Sequence, residues 1–468
     1  MIYEKVEITD AGAEGMAVGK INEKVVFVPF VVPGDIADIQ ITGKKKKYLE
    51  GKAVHFHHYS SKRTTPHCSH FGLCGGCRWQ SMKYEEQLYY KQKQVFDSLT
   101  RIGKLDNPAI LPIMPSPATR YYRNKLDYTF SNHRWLTDED RNRGETPVNT
   151  NALGFHIPQF FDKVVDIHEC FHMKDPSNAI RNAARKYAVD HNLSFYDVRT
   201  WQGFLRNLII RNTEAGGLMV ILVVRNEDEE ITRMLDSLAA QFPEITSLFY
   251  VINPKKNDTI YDLRFVLYQG EPYITEKMPT FRAGGREIEF RIGPASFFQT
   301  NSRQAMNLYK TTADFAELTG FEHVYDLYTG TGTIANYIAP YVQRVTGIES
   351  VEAAIADASV NAQINGITNT FFFSGEAEKV MTREFIESQG RPDIIITDPP
   401  RNGMHEKVVR SILEVKPGKI VYVSCNPATQ ARDLAMMNDV YFMEKCQPVD
   451  MFPHTQHVEN VALLRLRD

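Results

Sequence analysis

Over the first 60 residues hydrophobic and polar positions alternate with a period of two. VEITDAG, MAVGKINEKVVFVPFVV and DIADIQITG are broken by glycines and by Pro33-Gly34, the signature of short half-buried strands joined by turns. The pattern predicts a small OB-type β-barrel over residues 1–60. In QSMKYEEQLYYKQKQVFDSLTRIGK (80–104) the period lengthens, with Tyr84, Leu88, Val95, Leu99 and Ile102 at helical spacing, so a helix is expected there. Residues 120–290 mix strand and helix patterns, which makes 61–290 a central α+β domain; the polar, turn-rich TDEDRNRGETPVNTN (137–151) predicts a loop within it. From about residue 291 strands and helices alternate strictly: VYDLYTG, a helix near 333–341, RVTGIES, a helix near 351–365, TFFFSGEAE, DIIITDPP and KIVYVSCNP. Such alternation predicts a doubly wound, Rossmann-like domain over 291–468. The 80–104 helix is placed to pack on that last domain.

Composition narrows the class. The chain of 468 residues is long enough for about three domains. Its net charge of −3 excludes a globally basic nucleic-acid binder and leaves room for a local basic face. GKKKKYLEGK (43–52) is the most basic stretch, either a solvated hairpin or a loop that contacts phosphates. No apolar run approaches the roughly 20 residues of a membrane span, and the N-terminus has no signal-peptide core. A reducing cytoplasmic setting is expected, in which the six cysteines serve a metal or catalysis rather than disulfides.

Four stretches carry chemistry. YDLYTGTGTIANYIA (325–339) reads strand, glycine turn, helix, and Glu349 ends the next strand, 17 residues after Gly332; an acid there accepts hydrogen bonds from ribose hydroxyls. The turn lacks the third glycine of the dinucleotide fingerprint, which favours S-adenosylmethionine over a pyrophosphate cofactor. In DIIITDPPRNG (393–403), Asp398 ends a strand at the carboxyl edge, and the segment resembles the Asp-Pro-Pro turn of adenosylmethionine-dependent methyltransferases. Arg401 follows where amine methyltransferases carry an aromatic. Cys425 stands just past the strand KIVYV, so it is a nucleophile or a loop residue of no consequence. Carbon 5 of a pyrimidine needs a thiolate at carbon 6 before it can attack a methyl group, and Glu459, in HVEN beside His454 and His457, is the candidate base. Finally, CSHFGLCGGCRWQ (68–80) sets Cys68, Cys74 and Cys77 within ten residues. With Cys170 as fourth ligand they suit zinc or an iron–sulfur cluster equally by spacing; His67 and His70 are alternative zinc ligands. Cys446 is expected in the core.

Together these stretches resemble the RNA (uracil-5-)-methyltransferases, in particular the iron–sulfur enzymes that act on 23S ribosomal RNA. The resemblance implies a TRAM domain in residues 1 to about 58 and a [4Fe-4S] cluster on Cys68, Cys74, Cys77 and Cys170. RYYRNK and RNLIIRN resemble the family's RNA-facing central domain, with Arg123 and Lys125 as phosphate contacts. It further implies S-adenosylmethionine contacts from Gln299, Tyr328, Glu349, Asp398, Glu376 and Thr333, with Cys425 as nucleophile and Glu459 as base. A monomer acting on a uridine flipped out of folded RNA is expected. Thr329 and Thr333 depart from the family's usual Cys and Asn, and Glu376 from its Asp or Asn. A transfer-RNA enzyme and a non-catalytic RNA-binding protein are the rivals. Cytosine methylation is disfavoured because no cysteine follows Asp398.

Overall fold

Five strands close the N-terminal barrel: β1 (Ile2–Ala11), β2 (Ala17–Ile21), β3 (Lys24–Val28), β4 (Ile36–Lys44) and β5 (Tyr48–His58), in the order β1-β2-β3-β5-β4. The computed structural model describes residues 1–137, 140, 150–282 and 284–468, so the loop expected over 137–151 lies almost wholly outside the described residues. Val6, Ile8, Val26, Val28, Ala37 and Ile39 fill the barrel, because alternate residues of a strand face opposite sides. The two-residue reversal between β2 and β3 holds Asn22 and Glu23 at φ 46° and 63°, as a tight hairpin twisted to match its strands requires.

The central domain follows helix α1 (Tyr84–Arg101). Its sheet contains β6 (Lys125–Ser131), β7 (Ala152–His156), β8 (Val164–Asp166), β9 (Leu205–Asn212), β10 (Leu218–Val224), β11 (Ser247–Ile252) and β12 (Phe265–Gly270). Their order is β12-β11-β10-β9-β6-β7-β8. Helices α2 (Ser177–Asp190) and α3 (Glu230–Gln241) cover one face. Strand β10, LMVILVV, is apolar throughout because both its faces are buried. Val220, Leu222 and Val224 pack under α2 and α3, while Met219, Ile221 and Val223 turn toward the C-terminal domain. A hairpin of β13 (Ile274–Pro279) and β14 (Glu287–Ile292) joins that second core through Ile274, Met278, Ile288 and Phe290. The boundary expected at residue 291 therefore falls inside β14.

In the C-terminal domain helix α4 (Ser302–Ala316) leads into β15 (His323–Leu327), α5 (Thr333–Ile338), β16 (Arg344–Glu349), α6 (Glu352–Ile364) and β17 (Thr370–Ser374). Short helices α7 (Ala377–Val380) and α8 (Arg383–Gln389) precede β18 (Ile394–Thr397), α9 (Glu406–Val415) and β19 (Lys419–Ser424). Helix α10 (Pro427–Met437), β20 (Tyr441–Val449) and β21 (Glu459–Leu466) complete the chain. The sheet order is β17-β16-β15-β18-β19-β21-β20, parallel from β17 to β19 with β21 antiparallel to both neighbours. The winding reverses between β15 and β18, and a crevice opens at such a switch point beyond the carboxyl ends of the strands.

Helix α1 packs on this domain through Val95 and Leu99, beside Tyr325, Ile395, Ile420 and Leu434. Its Lys91 is wholly buried and pairs with Asp450 at 2.6 Å, while Tyr84 donates to the same carboxylate at 2.7 Å. The pair holds the segment that leads into β21. Buried charges of this kind persist only when partners satisfy them. Cys446 is fully buried in the core, as expected. Among the described residues no helix is long and apolar enough to cross a membrane.

Candidate active site

Strand β19 delivers Cys425 as the first residue past its carboxyl end. Asn426 then caps α10, its side-chain oxygen accepting the Ala428 amide at 3.1 Å, and Pro427 opens the helix. The thiol is thus fixed in a strand-to-helix turn. Strand β18 ends at Thr397, so Asp398 stands at the same edge. The antiparallel register of β19 on β21 sets Ser424 opposite Asn460, which brings Cys425 level with Glu459.

Cys425, Asp398 and Glu459 line one cavity of about 880 Å³, together with Gln299, Arg401 and His457. Burial pushes the Glu459 carboxyl up to about 8, helped by the negative charge of Asp398 and opposed by Arg401. Burial and the neighbouring Asp326 raise Asp398 to about 7. The thiol of Cys425 is pushed up to about 12 by burial, then by Glu459 and Asp398, while Arg401 pulls it down. Near neutrality the pocket therefore holds a protonated thiol and a carboxyl pair that retains a proton. His457 is held neutral, its pKa lowered to about 4 by burial and by Arg401. The cavity is built to resist charge, and Arg401 is a cation that relieves it. Arg401 is anchored through its backbone oxygen, which accepts from Asn426 Nδ2 and Thr429 Oγ1 at 3.1 Å each.

The glycine turn follows β15, the neighbour of β18, and the Asp398 amide donates to the Leu327 oxygen at 3.3 Å. Tyr328, Gly330 and Gly332 all adopt positive φ, at 63°, 56° and 73°. A Cβ on Gly330 would meet nothing within 4 Å, so that backbone faces open space, as close approach to a ligand requires. Glu349 accepts from the amides of Gly330 at 3.1 Å and Val351 at 2.9 Å, bracing the turn at the end of β16. Thr333 begins α5, and its hydroxyl accepts from buried Tyr309 at 3.3 Å. Open backbone, a braced carboxylate and the ring of Tyr328 fit a nucleoside. Tyr328, Thr333, Glu349 and Glu376 do not line the cavity of Cys425, whereas Gln299 does. Glu376 is half exposed and ion-paired with Lys379, one helical turn away.

Cys68, Cys74, Cys77 and Cys170 line the same cavity as Cys425. Burial pushes Cys74 to about 11 and Cys77 and Cys170 to about 12, and the sulfurs raise one another further. The Gly76 amide donates to Cys74 Sγ at 3.4 Å, and Cys77 Sγ lies 2.9 Å from His172 Nε2. Among the described residues no three His, Cys, Asp or Glu side chains converge as a single metal ion requires. His70 Nε2 is occupied by the His168 amide at 3.1 Å. Cys170 is buried and Cys68, Cys74 and Cys77 are half-buried at one cavity wall.

Sequence patterns did not single out Asp326 or Phe297. Asp326 is buried behind the turn, bonded to Thr329 and raised to about 7 by burial; its place at the end of β15 was the available signal. Phe297 is 68% exposed and lines the cavity mouth, and its adjacency to Gln299 in FFQTN was the signal.

Known proteins resemble this chain over nearly its whole length. The tRNA (uracil-5-)-methyltransferase family profile matches residues 264–467, and the TRAM domain profile matches residues 3–54. An uncharacterized RNA methyltransferase of Bacteroides thetaiotaomicron is 54% identical over 97% of this chain and 100% of its own. A second, from Porphyromonas gingivalis, is 50% identical over 98% of this chain and 99% of its own. Among solved structures, the Pyrococcus abyssi tRNA (uracil-54, C5)-methyltransferase, in complex with S-adenosyl-L-homocysteine, superposes with a TM-score of 0.74. It is 29% identical, over 99% of this chain and 100% of that one.

Proposed function

The chain belongs to the S-adenosylmethionine-dependent RNA uracil-5-methyltransferases and carries a TRAM domain, and we propose that it methylates a uridine of 23S ribosomal RNA through a covalent bond from Cys425 to carbon 6. The observation that carries this is the single cavity in which Cys425, Asp398 and Glu459 meet beside the glycine turn.

S-adenosylmethionine supplies the electrophilic methyl group. The Cys425 thiol releases its proton to solvent as its sulfur adds to carbon 6, and Arg401 offsets the negative charge that develops. The displaced ring electrons reach carbon 5 and the adjacent carbonyl, and carbon 5 takes the methyl group as its bond to the sulfonium sulfur breaks and S-adenosylhomocysteine leaves. Glu459, ionised, then removes the carbon 5 proton. The electrons of that C–H bond rebuild the ring double bond, the carbon–sulfur bond breaks, and Glu459 returns the proton to the departing thiolate. The proton lost from the thiol is the one released overall. Asp398 sits between the cofactor turn and the uracil. Gln299, Tyr328, Glu349 and Thr333 are assigned to the cofactor. Glu376 is assigned to its adenine end.

The TRAM domain and the cysteine set favour ribosomal RNA. A transfer-RNA substrate is the second reading, favoured by the likeness to the Pyrococcus abyssi enzyme. Mapping 5-methyluridine in a strain lacking the protein tests both. Loss of a 23S methyluridine is expected; loss confined to transfer RNA overturns the ribosomal assignment.

Cys68, Cys74, Cys77 and Cys170 are proposed to hold a [4Fe-4S] cluster that braces the central domain, since no step of the reaction is a redox step. Anaerobically purified protein is expected to be brown, with iron and acid-labile sulfide in equal amounts, both lost in Cys77→Ser. Stoichiometric zinc without sulfide overturns this.

A further inference from the structure

Beyond the cavity mouth the central domain presents exposed aromatics next to cations. Tyr261, 63% exposed, lies over Lys125 Nζ at 5.8 Å, and Lys125 is part of the cavity wall. Five residues before Tyr261, Lys256 Nζ sits 3.5 Å from the ring centre of Trp201, itself 42% exposed. On the same turn as Trp201, Arg199 reaches buried Asp162 at 2.6 Å, and the residue before Asp162 is Phe161, 70% exposed.

These side chains stand on a rigid support. Arg206 is buried and lies 4.1 Å over the Tyr196 ring. Its guanidinium donates to the backbone oxygens of Asn253, Lys255 and Asn257 and to Asp258, which locks the loop bearing Lys256. Trp201 is held at φ 58° by its amide's bond to the Asp197 oxygen at 2.7 Å. A bulky residue in the left-handed region costs stability and persists where its surroundings impose it, a pattern concentrated at functional sites. Trp201 held this way remains 42% exposed, with Lys256 against its ring.

We propose that Tyr261, Trp201 and Phe161, with Lys125, Lys256 and Arg199, form a stacking track for the single-stranded RNA that flanks the target uridine. Every base offers a π-face and every nucleotide a phosphate, so aromatics interleaved with cations bind such a strand without reading its sequence. Lys256 covers one face of Trp201; a base takes the other, and the ammonium lies beside its phosphate. The track starts at the cavity wall, so it holds the strand that leaves the flipped uridine. It rests on the uridine chemistry proposed above.

The test uses the full-length protein and fluorescein-labelled oligouridylates of roughly 15 and about 5 nucleotides, read by anisotropy. Trp201→Ala and Tyr261→Ala are each expected to weaken the longer strand roughly 10-fold and to leave the shorter one unchanged. Trp201→Phe retains most of the affinity, which a merely structural role of the indole would not allow, and loses the quenching of tryptophan emission by RNA. Should the alanine variants also lose S-adenosylmethionine binding, Lys256→Glu, at the surface, decides: weaker binding of the longer strand supports the track and unchanged binding overturns it. Alanine variants that fold and bind the longer strand as the natural protein does overturn it too; a protein partner on this surface would give that result. Failure of the ribosomal assignment shows separately, as natural protein that modifies only transfer RNA.

Discussion

Cys425→Ala protein loses methyl transfer to RNA by at least about 10⁴-fold while it still folds and binds S-adenosylmethionine. The thiol makes no hydrogen bond that the fold relies on. Asn426 and Pro427 set the turn, and Ser424 Oγ accepts the Asn426 amide at 3.1 Å. Removing the sulfur therefore removes chemistry and spares the scaffold. What is lost cannot be replaced locally: carbon 5 of uracil becomes nucleophilic only after addition at carbon 6, and the neighbouring carboxyls and His457 hold no comparable nucleophile. Cys425→Ser falls nearly as far, since a hydroxyl among buried carboxyls is harder to ionise than a thiol. RNA carrying 5-fluorouridine, which has no carbon 5 proton to give up, is expected to form a denaturation-resistant complex with the natural protein and none with Cys425→Ala. Methyl transfer at the natural rate by Cys425→Ala would end the covalent mechanism.

Much of this site was legible because sheet grammar localises strand ends. Asp398 and Cys425 follow apolar runs bounded by proline or Asn-Pro, so a parallel sheet assigns both to one edge; Glu459 begins the last apolar run and joins them because β21 runs antiparallel to β19, a reversal no local pattern announces. The barrel was legible for the same reason: its strands alternate, with one face buried. Strand β10 was not, because burial on both faces erases the alternation and leaves a uniformly apolar run. Pairings between distant segments were equally hidden. Nothing in the helical spacing of α1 indicates that Lys91 pairs with Asp450, or that Arg206 braces the loop at 253–258. The meeting of Cys170 with Cys68, Cys74 and Cys77 came from resemblance, and the fold brings all four to the wall that also carries Cys425. The pairing of Glu376 with Lys379, three residues on, was likewise not visible in the motif that proposes Glu376 as a cofactor contact.

Glu459→Gln stalls the reaction after the methyl group has moved. The amide matches the carboxyl in shape, so the buried site keeps its packing, but it cannot take the carbon 5 proton. Elimination of Cys425 requires that proton to leave, and the product stays bonded to sulfur. Turnover is expected to fall roughly 10²- to 10⁴-fold, and labelled methyl groups are expected to accumulate in a covalent protein–RNA complex. The pH profile carries the same information with a definite sign. A base must be ionised, and Glu459 is held up to about 8 beside Asp398 at about 7. The two share their protons as a pair, so the natural rate climbs as pH rises through that interval. Asp398→Asn removes a negative charge next to Glu459, eases its ionisation, and moves the climb to lower pH. Glu459→Gln has no such climb. If Glu459→Gln releases methylated RNA at the natural rate, the base lies elsewhere; if it transfers no methyl group at all, Glu459 acts before the transfer and the order of steps proposed here is wrong.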